Sequence, residues 1–534
     1  LKNRRLRPQT LSSAEQQRLE SAQKLLASGD LDGAGQLCKQ LVQVKPRALE
    51  PLRLLSWINM RQGDMFAAYD TAEATLKLAP GEGSVLAWAA EVAAEVGDLR
   101  RADEHLQRLS RLGKQDPAVM ASVAGALTAM EDHAGALLRY RRLLQHRPDD
   151  LQARLNVAYS ARYAGEFALA EACLRELIAV HPEFYQAYFA LTQLARVTPD
   201  NNHIELLEAA LRRSDGNTEA EAFLGYGLGK ELEDLGEYAS AFPCYLRGAK
   251  AQRQLFPRPS REAQIARKLM SARPTPVVPG WDSEAAGEGL IFIVGLPRTG
   301  STLLDRMLGA HSRVRNGGEL RALPFSAHRQ IGVPPADVMS AQLLSSLHTL
   351  DVAELGQRYL ACLPAHWLGQ GMLSDKNPMN YLYVGLIRRA LPAAKILHIQ
   401  RNPMDACFSS FKQLFAPGAY RHSYDFQELA QHYGSYRALM DHWQRQYPDS
   451  ITELSYESLV ADPQAQLQRV LPALGLEWED SVLDFHRRDT GVGTASFAQV
   501  RQPVYRDSVE RWKLFEEPLR PLRDALEKTG VTVR

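Results

Sequence analysis

A dipeptide recurs along the first half of the chain at a fixed interval. Gly29-Asp30, Gly63-Asp64, Gly97-Asp98, Glu131-Asp132 and Gly165-Glu166 each begin 34 residues after the one before. An alanine follows in phase at Ala34, Ala68, Ala102, Ala136 and Ala170. Gly236-Glu237 with Ala241 comes 71 residues further on, room for two units of which the first is irregular. Prolines close many units, as at Pro46, Pro80, Pro148 and Pro182. Glycine permits a tight reversal, and alanine at a crossing lets two helices approach closely. A pair of amphipathic helices leaves an apolar face bare until a neighbour covers it. The period therefore predicts about seven stacked units, an all-α solenoid rather than a generic bundle.

This 34-residue unit resembles the tetratricopeptide repeat. The resemblance implies a surface for peptides or partner proteins, with an intramolecular scaffold as the other use. At 534 residues the chain exceeds one ordinary core. The hydrophobic share of 45%, the charged share of 23% and a net charge of +1 are those of a soluble globular protein. That balance gives no bulk attraction to nucleic acid or anionic membrane. Five scattered cysteines without a C-x-x-C pair argue against a disulfide framework and a zinc site. The basic start LKNRRLRPQT precedes no apolar run, and no run reaches membrane-span length, so the expectation is a cytoplasmic protein without signal peptide or span.

The repeats end near Phe256, and a stretch rich in proline (257, 259, 274, 276, 279) surrounds one short helical segment. Beyond Gly289, strand-like runs (LIFIV, KILHIQ, ITELSY) alternate with helical periodicity, the pattern of an α/β domain with a mainly parallel sheet. The expected organisation is a repeat domain over 12–256, a connector over 257–288 and an α/β domain over 289–534. GLPRTGST at 295–302 joins the first strand to a helix with Leu303, Leu304, Met307 and Leu308 on one face. Such a junction aims backbone N–H groups and the helix dipole at an anion. Gly295 and Gly300 allow close approach, Thr299, Ser301 and Thr302 add hydroxyls, and Arg298 adds a cation. Ser301 occupies the place where a nucleotide triphosphatase carries lysine, which speaks against Mg²⁺-ATP and for a donor with one 5′ phosphate and a transferable group.

IFIVGLPRTGSTLL resembles the 5′-phosphosulfate loop of sulfotransferases that use 3′-phosphoadenosine 5′-phosphosulfate (PAPS), and is nearest the protein-tyrosine sulfotransferase branch. The resemblance spans roughly 289–515 and implies a P-loop-like fold. In KILHIQRNPMDACFSSF, Arg401 and Ser409 match the family's 3′-phosphate motif, with Gln413 replacing a further arginine and Cys407 read as a small buried residue. Tyr456, Ser496 and Arg511 match cofactor-contacting positions, Leu459 and Val460 read as core, and Trp512 matches an anchoring tryptophan. Arg298 and Lys376 match groups that stabilise the sulfuryl group and the leaving phosphate, so the transfer requires no metal.

Glu319 lies 21 residues after Arg298, the separation of the branch's catalytic glutamate. A carboxylate can take the acceptor's proton. Gly318 stands where the branch has a second glutamate. Arg321 matches a contact to acidic peptide substrates, which favours tyrosine of a protein or peptide, engaged in part through the repeats. A carbohydrate, lipid or small phenol stays open as acceptor, as does a homodimer. His311 is the competing base, with a structural role the expectation. Outside this class stand a P-loop kinase and a repeat scaffold without catalysis.

Overall fold

The computed structural model describes residues 8–113, 116–272, 285–335, 339–369, 371–487, 504 and 507–533. Seven helix pairs, from Ser13–Ala27 with Leu31–Val44 to Thr218–Asp234 with Tyr238–Leu255, fill the first half among the described residues. The irregular sixth pair is the shortest, Tyr185–Thr192 with Ile204–Arg213. The recurring dipeptide has two separate jobs. Its first residue turns left-handed, with φ between +83° and +99° at Gly29, Gly63, Gly97, Gly165 and Gly236, and +61° at Glu131. Its second caps the next helix: the carboxylates of Asp30, Asp64, Asp98 and Asp132 accept from Gly33, Ala67, Arg101 and Gly135 N–H. The in-phase alanines Ala34, Ala68, Ala102, Ala136, Ala170 and Ala241 are fully buried.

The chain forms two compact units, and their division cuts across the change in sequence pattern. One unit joins the residues up to 149 with 320–368. In it the helix Ala322–Ile331 is held against the early repeats. Phe325 meets Phe66 and Tyr69 edge-on at 5.7 and 5.6 Å, and Arg329 pairs with Asp70. Backbone also approaches closely: a Cβ on Gly97 would fall 2.6 Å from the Arg321 carbonyl carbon.

The other unit joins 150–274, 282–319 and 369–534, and so combines the last three helix pairs with the sheet. The final pair crosses through glycine, since a Cβ on Gly248 would meet the Tyr226 ring at 2.7 Å. The Tyr226 hydroxyl donates to the Phe411 carbonyl at 3.0 Å. The helix Glu262–Ser271 buries Ile265, Ala266 and Leu269 and packs against the helix Phe426–Gln446. Among the described residues five strands, β1 (Leu290–Gly295), β2 (Val314–Asn316), β3 (Met372–Lys376), β4 (Lys395–Gln400) and β5 (Ile451–Ser455), pair entirely in parallel in the order β2-β3-β1-β4-β5. β1 is buried along its whole length, as a central strand covered on both faces requires. No helix among the described residues is long and apolar enough to cross a membrane.

Gly97 and Gly63 share a left-handed turn, but only Gly97 has backbone within reach of an added methyl. Gly97→Ala should therefore lower the thermal midpoint measurably more than Gly63→Ala. The left-handed penalty of about 1 kcal/mol is common to both, and overpacking adds about 1–3 kcal/mol at Gly97 alone. Scanning calorimetry of the two variants checks this; equal midpoints would contradict the close approach.

Candidate active site

In an open parallel sheet, ligands bind beyond the carboxyl ends of the strands, where the strand order reverses. Here that place is the end of β1, which has β3 on one side and β4 on the other. The loop leaving β1 enters the helix Ser301–Gly309 through Gly300, the N-cap at φ +96°, and no side chain caps that helix. Both loop glycines are sterically required. A Cβ on Gly295 would lie 2.6 Å from the Ile399 carbonyl oxygen, and one on Gly300 would lie 2.4 Å from the Tyr456 ring. The Thr299 hydroxyl donates to the Leu296 carbonyl at 2.7 Å, so it shapes the loop from within. Ser301 and Thr302 are buried in the first helical turn. This geometry is a cradle for an anionic group at a helix N-terminus.

Arg298 takes φ +67°, a conformation that strains a non-glycine residue. Its backbone is held there because Arg401, directly after β4, donates from Nη1 to the Arg298 carbonyl at 2.9 Å. The Arg298 Nε–H donates to Ser409 Oγ at 3.3 Å. Arg401 also donates from Nη2 to the Ser508 carbonyl, and its guanidinium stacks over the Tyr456 ring at 4.6 Å. The ends of β1, β4 and β5 thus bring Arg298, Arg401, Ser409 and Tyr456 together. Three of them, Arg298, Arg401 and Ser409, line a cleft of about 370 Å³ together with Arg511.

The ends of β2 and β3 assemble a second group. Their pairing continues past β2, with Gly317 N–H donating to Ser374 and Lys376 N–H donating to Gly318, both at 2.9 Å. That register sets Glu319 opposite Lys376, and the Lys376 ammonium donates to Glu319 Oε1 at 2.5 Å. Lys376 is buried at 2% exposure while Glu319 is 42% exposed, so a fixed internal cation holds a carboxylate that solvent and ligands can reach. Gly318 has φ +73°, which explains why a glutamate at this place would be strained. His311 is buried with both ring nitrogens engaged: Nε2 with the Glu477 carbonyl and Nδ1 with the Arg313 N–H, each at 3.0 Å.

Sequence reasoning missed the acids that organise these cations. Glu233, on a repeat helix, accepts from Lys412 at 2.5 Å and Arg511 Nε at 2.7 Å, while its other oxygen accepts from Tyr245 at 2.8 Å. Burial alone would raise its pKa, but Lys412 and Arg511 hold it down at about 2. Asp405 accepts from the backbone N–H groups of Glu510 and Trp512 at 2.7 and 3.1 Å, which fixes the segment carrying Arg511. Cys407 is buried as expected, and Trp512 is buried too. Arg321 belongs to the other unit, where it pairs with Glu95 at 2.8 Å. Ser496 lies outside the described residues.

Residues 291–480 match the family model described as "Sulfotransferase family". An uncharacterized protein of Aquifex aeolicus is 29% identical over 374 residues, 68% of this chain and 48% of that protein. The protein-tyrosine sulfotransferase of Drosophila melanogaster is 26% identical over 243 residues, 42% of this chain and 46% of its own. The chain therefore spans about half the length of these relatives. Among solved structures, the sulfotransferase domain of the Synechococcus olefin synthase aligns over 48% of this chain and 99% of its own, at 20% identity and a TM-score of 0.33.

Because the folded pKa of Glu233 is depressed, its contribution to stability is fully present above the usual carboxylate value of 4.5. It is lost as pH falls toward about 2. Glu233→Gln should be less stable than the parent at pH 7, by about 3–5 kcal/mol, since it leaves two cations without their shared anion. The gap should close between pH 4.5 and 2. Chemical denaturation across that range tests it; a pH-independent gap would show that the ion pairs contribute nothing.

Proposed function

Since residues 291–480 carry a domain of the sulfotransferase family, we propose that the chain transfers a sulfuryl group from PAPS to an acceptor hydroxyl, with tyrosine of a protein or peptide as the acceptor. The observation that carries this reading is the pairing of Glu319 with Lys376 beside the β1 loop, within one unit and at the carboxyl ends of adjacent strands. The chain's own groups divide into binding and transfer roles. The β1 loop, through the backbone of 300–302 and Arg298, would take the 5′ end of the donor. Arg401, Ser409 and Arg511 would take its ribose phosphate, and Tyr456 supports Arg401 from below.

When bound, PAPS supplies a sulfuryl group whose bond to the 5′ phosphate breaks as the acceptor oxygen bonds to sulfur, releasing adenosine 3′,5′-bisphosphate. Glu319 accepts the proton that the acceptor hydroxyl loses. Lys376 orients that carboxylate in the resting protein, and with Arg298 it neutralises the negative charge that gathers on the departing phosphate oxygen. The tyrosine acceptor rests on the likeness to the Drosophila enzyme. The ion pair of Arg321 with Glu95 favours a second reading, a carbohydrate, lipid or small phenolic acceptor, because it occupies the arginine on which recognition of an acidic peptide would depend.

Calorimetric titration tests the donor. Adenosine 3′,5′-bisphosphate should bind more tightly than AMP, and Mg²⁺-ATP should bind weakly; preference for Mg²⁺-ATP would instead support a kinase. Arg401→Ala combined with Ser409→Ala should remove the preference for the bisphosphate. Glu319→Gln should lower transfer by about 10²–10⁴-fold, as loss of a general base does, with bisphosphate affinity within about twofold. Parallel loss of both would remove Glu319 from the base role. Acidic tyrosine peptides assayed beside simple phenols and sugars decide the acceptor.

A further inference from the structure

The cleft beside the β1 loop is not built by the sheet domain alone. Its remaining wall comes from the repeats and includes Arg162 and Lys230 on helices and Arg196 in the connection between Tyr185–Thr192 and Ile204–Arg213. Arg401 and Ser409 line it, whereas Glu319 and Lys376 do not. We propose that Arg196, supported by Arg162, binds the ribose phosphate of the nucleotide donor from the side opposite Arg401 and Ser409, which makes the repeats part of the donor site. This inference rests on the donor reading above.

The geometry presents Arg196 rather than merely exposing it. Lys230 and Asp234 pair at 2.8 Å one helical turn apart. Lys230 donates to the Ala195 carbonyl, and Asp234 accepts from Val197 N–H at 3.1 Å. The residues on both sides of Arg196 are therefore gripped by one ion pair, and the arginine between them is held at the cleft. Arg196 itself has no acidic partner among the described residues. Burial depresses the Arg162 guanidinium from its ordinary value, a penalty that an anion in the cleft would offset.

The cations on the sheet side are largely committed. Lys412 and Arg511 share the single carboxylate of Glu233, and Arg401 spends two of its N–H groups on the Arg298 and Ser508 carbonyls. Gln413 lines the cleft without charge. A phosphate carrying close to two negative charges needs more than that remainder, and a guanidinium can meet two of its oxygens at once.

The test is calorimetric titration of the full chain with adenosine 3′,5′-bisphosphate and, separately, AMP, in the absence of acceptor. Arg196→Gln, a change at an exposed side chain, should weaken the bisphosphate by about 10–100-fold, the range for a lost charged hydrogen bond, and leave AMP within about twofold. Asp234→Asn should weaken it in the same direction but less, because the presenting grip loosens while the charge remains. An unchanged bisphosphate affinity in Arg196→Gln, with only the acceptor KM raised, would overturn the proposal and assign the arginine to the acceptor. Equal losses for AMP and bisphosphate would also overturn it. Should the unaltered protein fail to distinguish the bisphosphate from AMP, the donor reading falls and takes this inference with it.

Discussion

Strand β1 hydrogen-bonds to β3 along one edge and to β4 along the other, and the chain leaving it must rise into the gap between two diverging crossovers. Every other feature of the candidate site follows from that reversal. The loop has nowhere to go except over its own sheet, where Ile399 and Tyr456 leave no room for a Cβ at Gly295 or Gly300. Arg401 reaches the loop because β4 is the immediate neighbour of β1. Glu319 reaches Lys376 because the segment after β2 stays paired with β3 beyond the last residue of β2. The candidate residues thus sit at strand ends, and the register of a parallel sheet decides which side chains meet.

Electrostatic order in the cleft comes from acids as much as from bases. One carboxylate at Glu233 holds two cations and leaves the group with net positive charge, the state an anion-binding surface needs. Asp405 works differently. It reads backbone N–H groups rather than side chains, and so fixes where the Arg511 segment lies without demanding particular residues there. Burial penalises both carboxylates, and each is retained by partners whose positions it also defines.

What the sequence made legible was local. The 34-residue period, the strand-like runs and the loop between β1 and its helix all depend on residues near one another, and the structure places them as the pattern predicts. Arg298, Arg401, Ser409 and Tyr456 were found singly, and the sheet brings them together. What stayed hidden were pairings over long separations with no periodic trace. Arg511 and Glu233 are 278 residues apart, and Arg321 and Glu95 are 226 apart. The grouping of early repeats with 320–368 was equally invisible, because a helix face that packs on repeats looks like any other amphipathic helix.

The divided labour of the recurring dipeptide gives the repeats a tolerance for error. At Glu131 the glycine is gone, yet Asp132 still caps its helix; at Gly165 the left-handed turn is kept, while the Glu166 side chain forms no cap. Each unit has lost one letter and kept its fold, because chain reversal and helix initiation are separately encoded and stacking supplies what remains. The repeat is therefore a redundant code. A reader who demanded both letters would see a broken array where the chain has an unbroken rhythm.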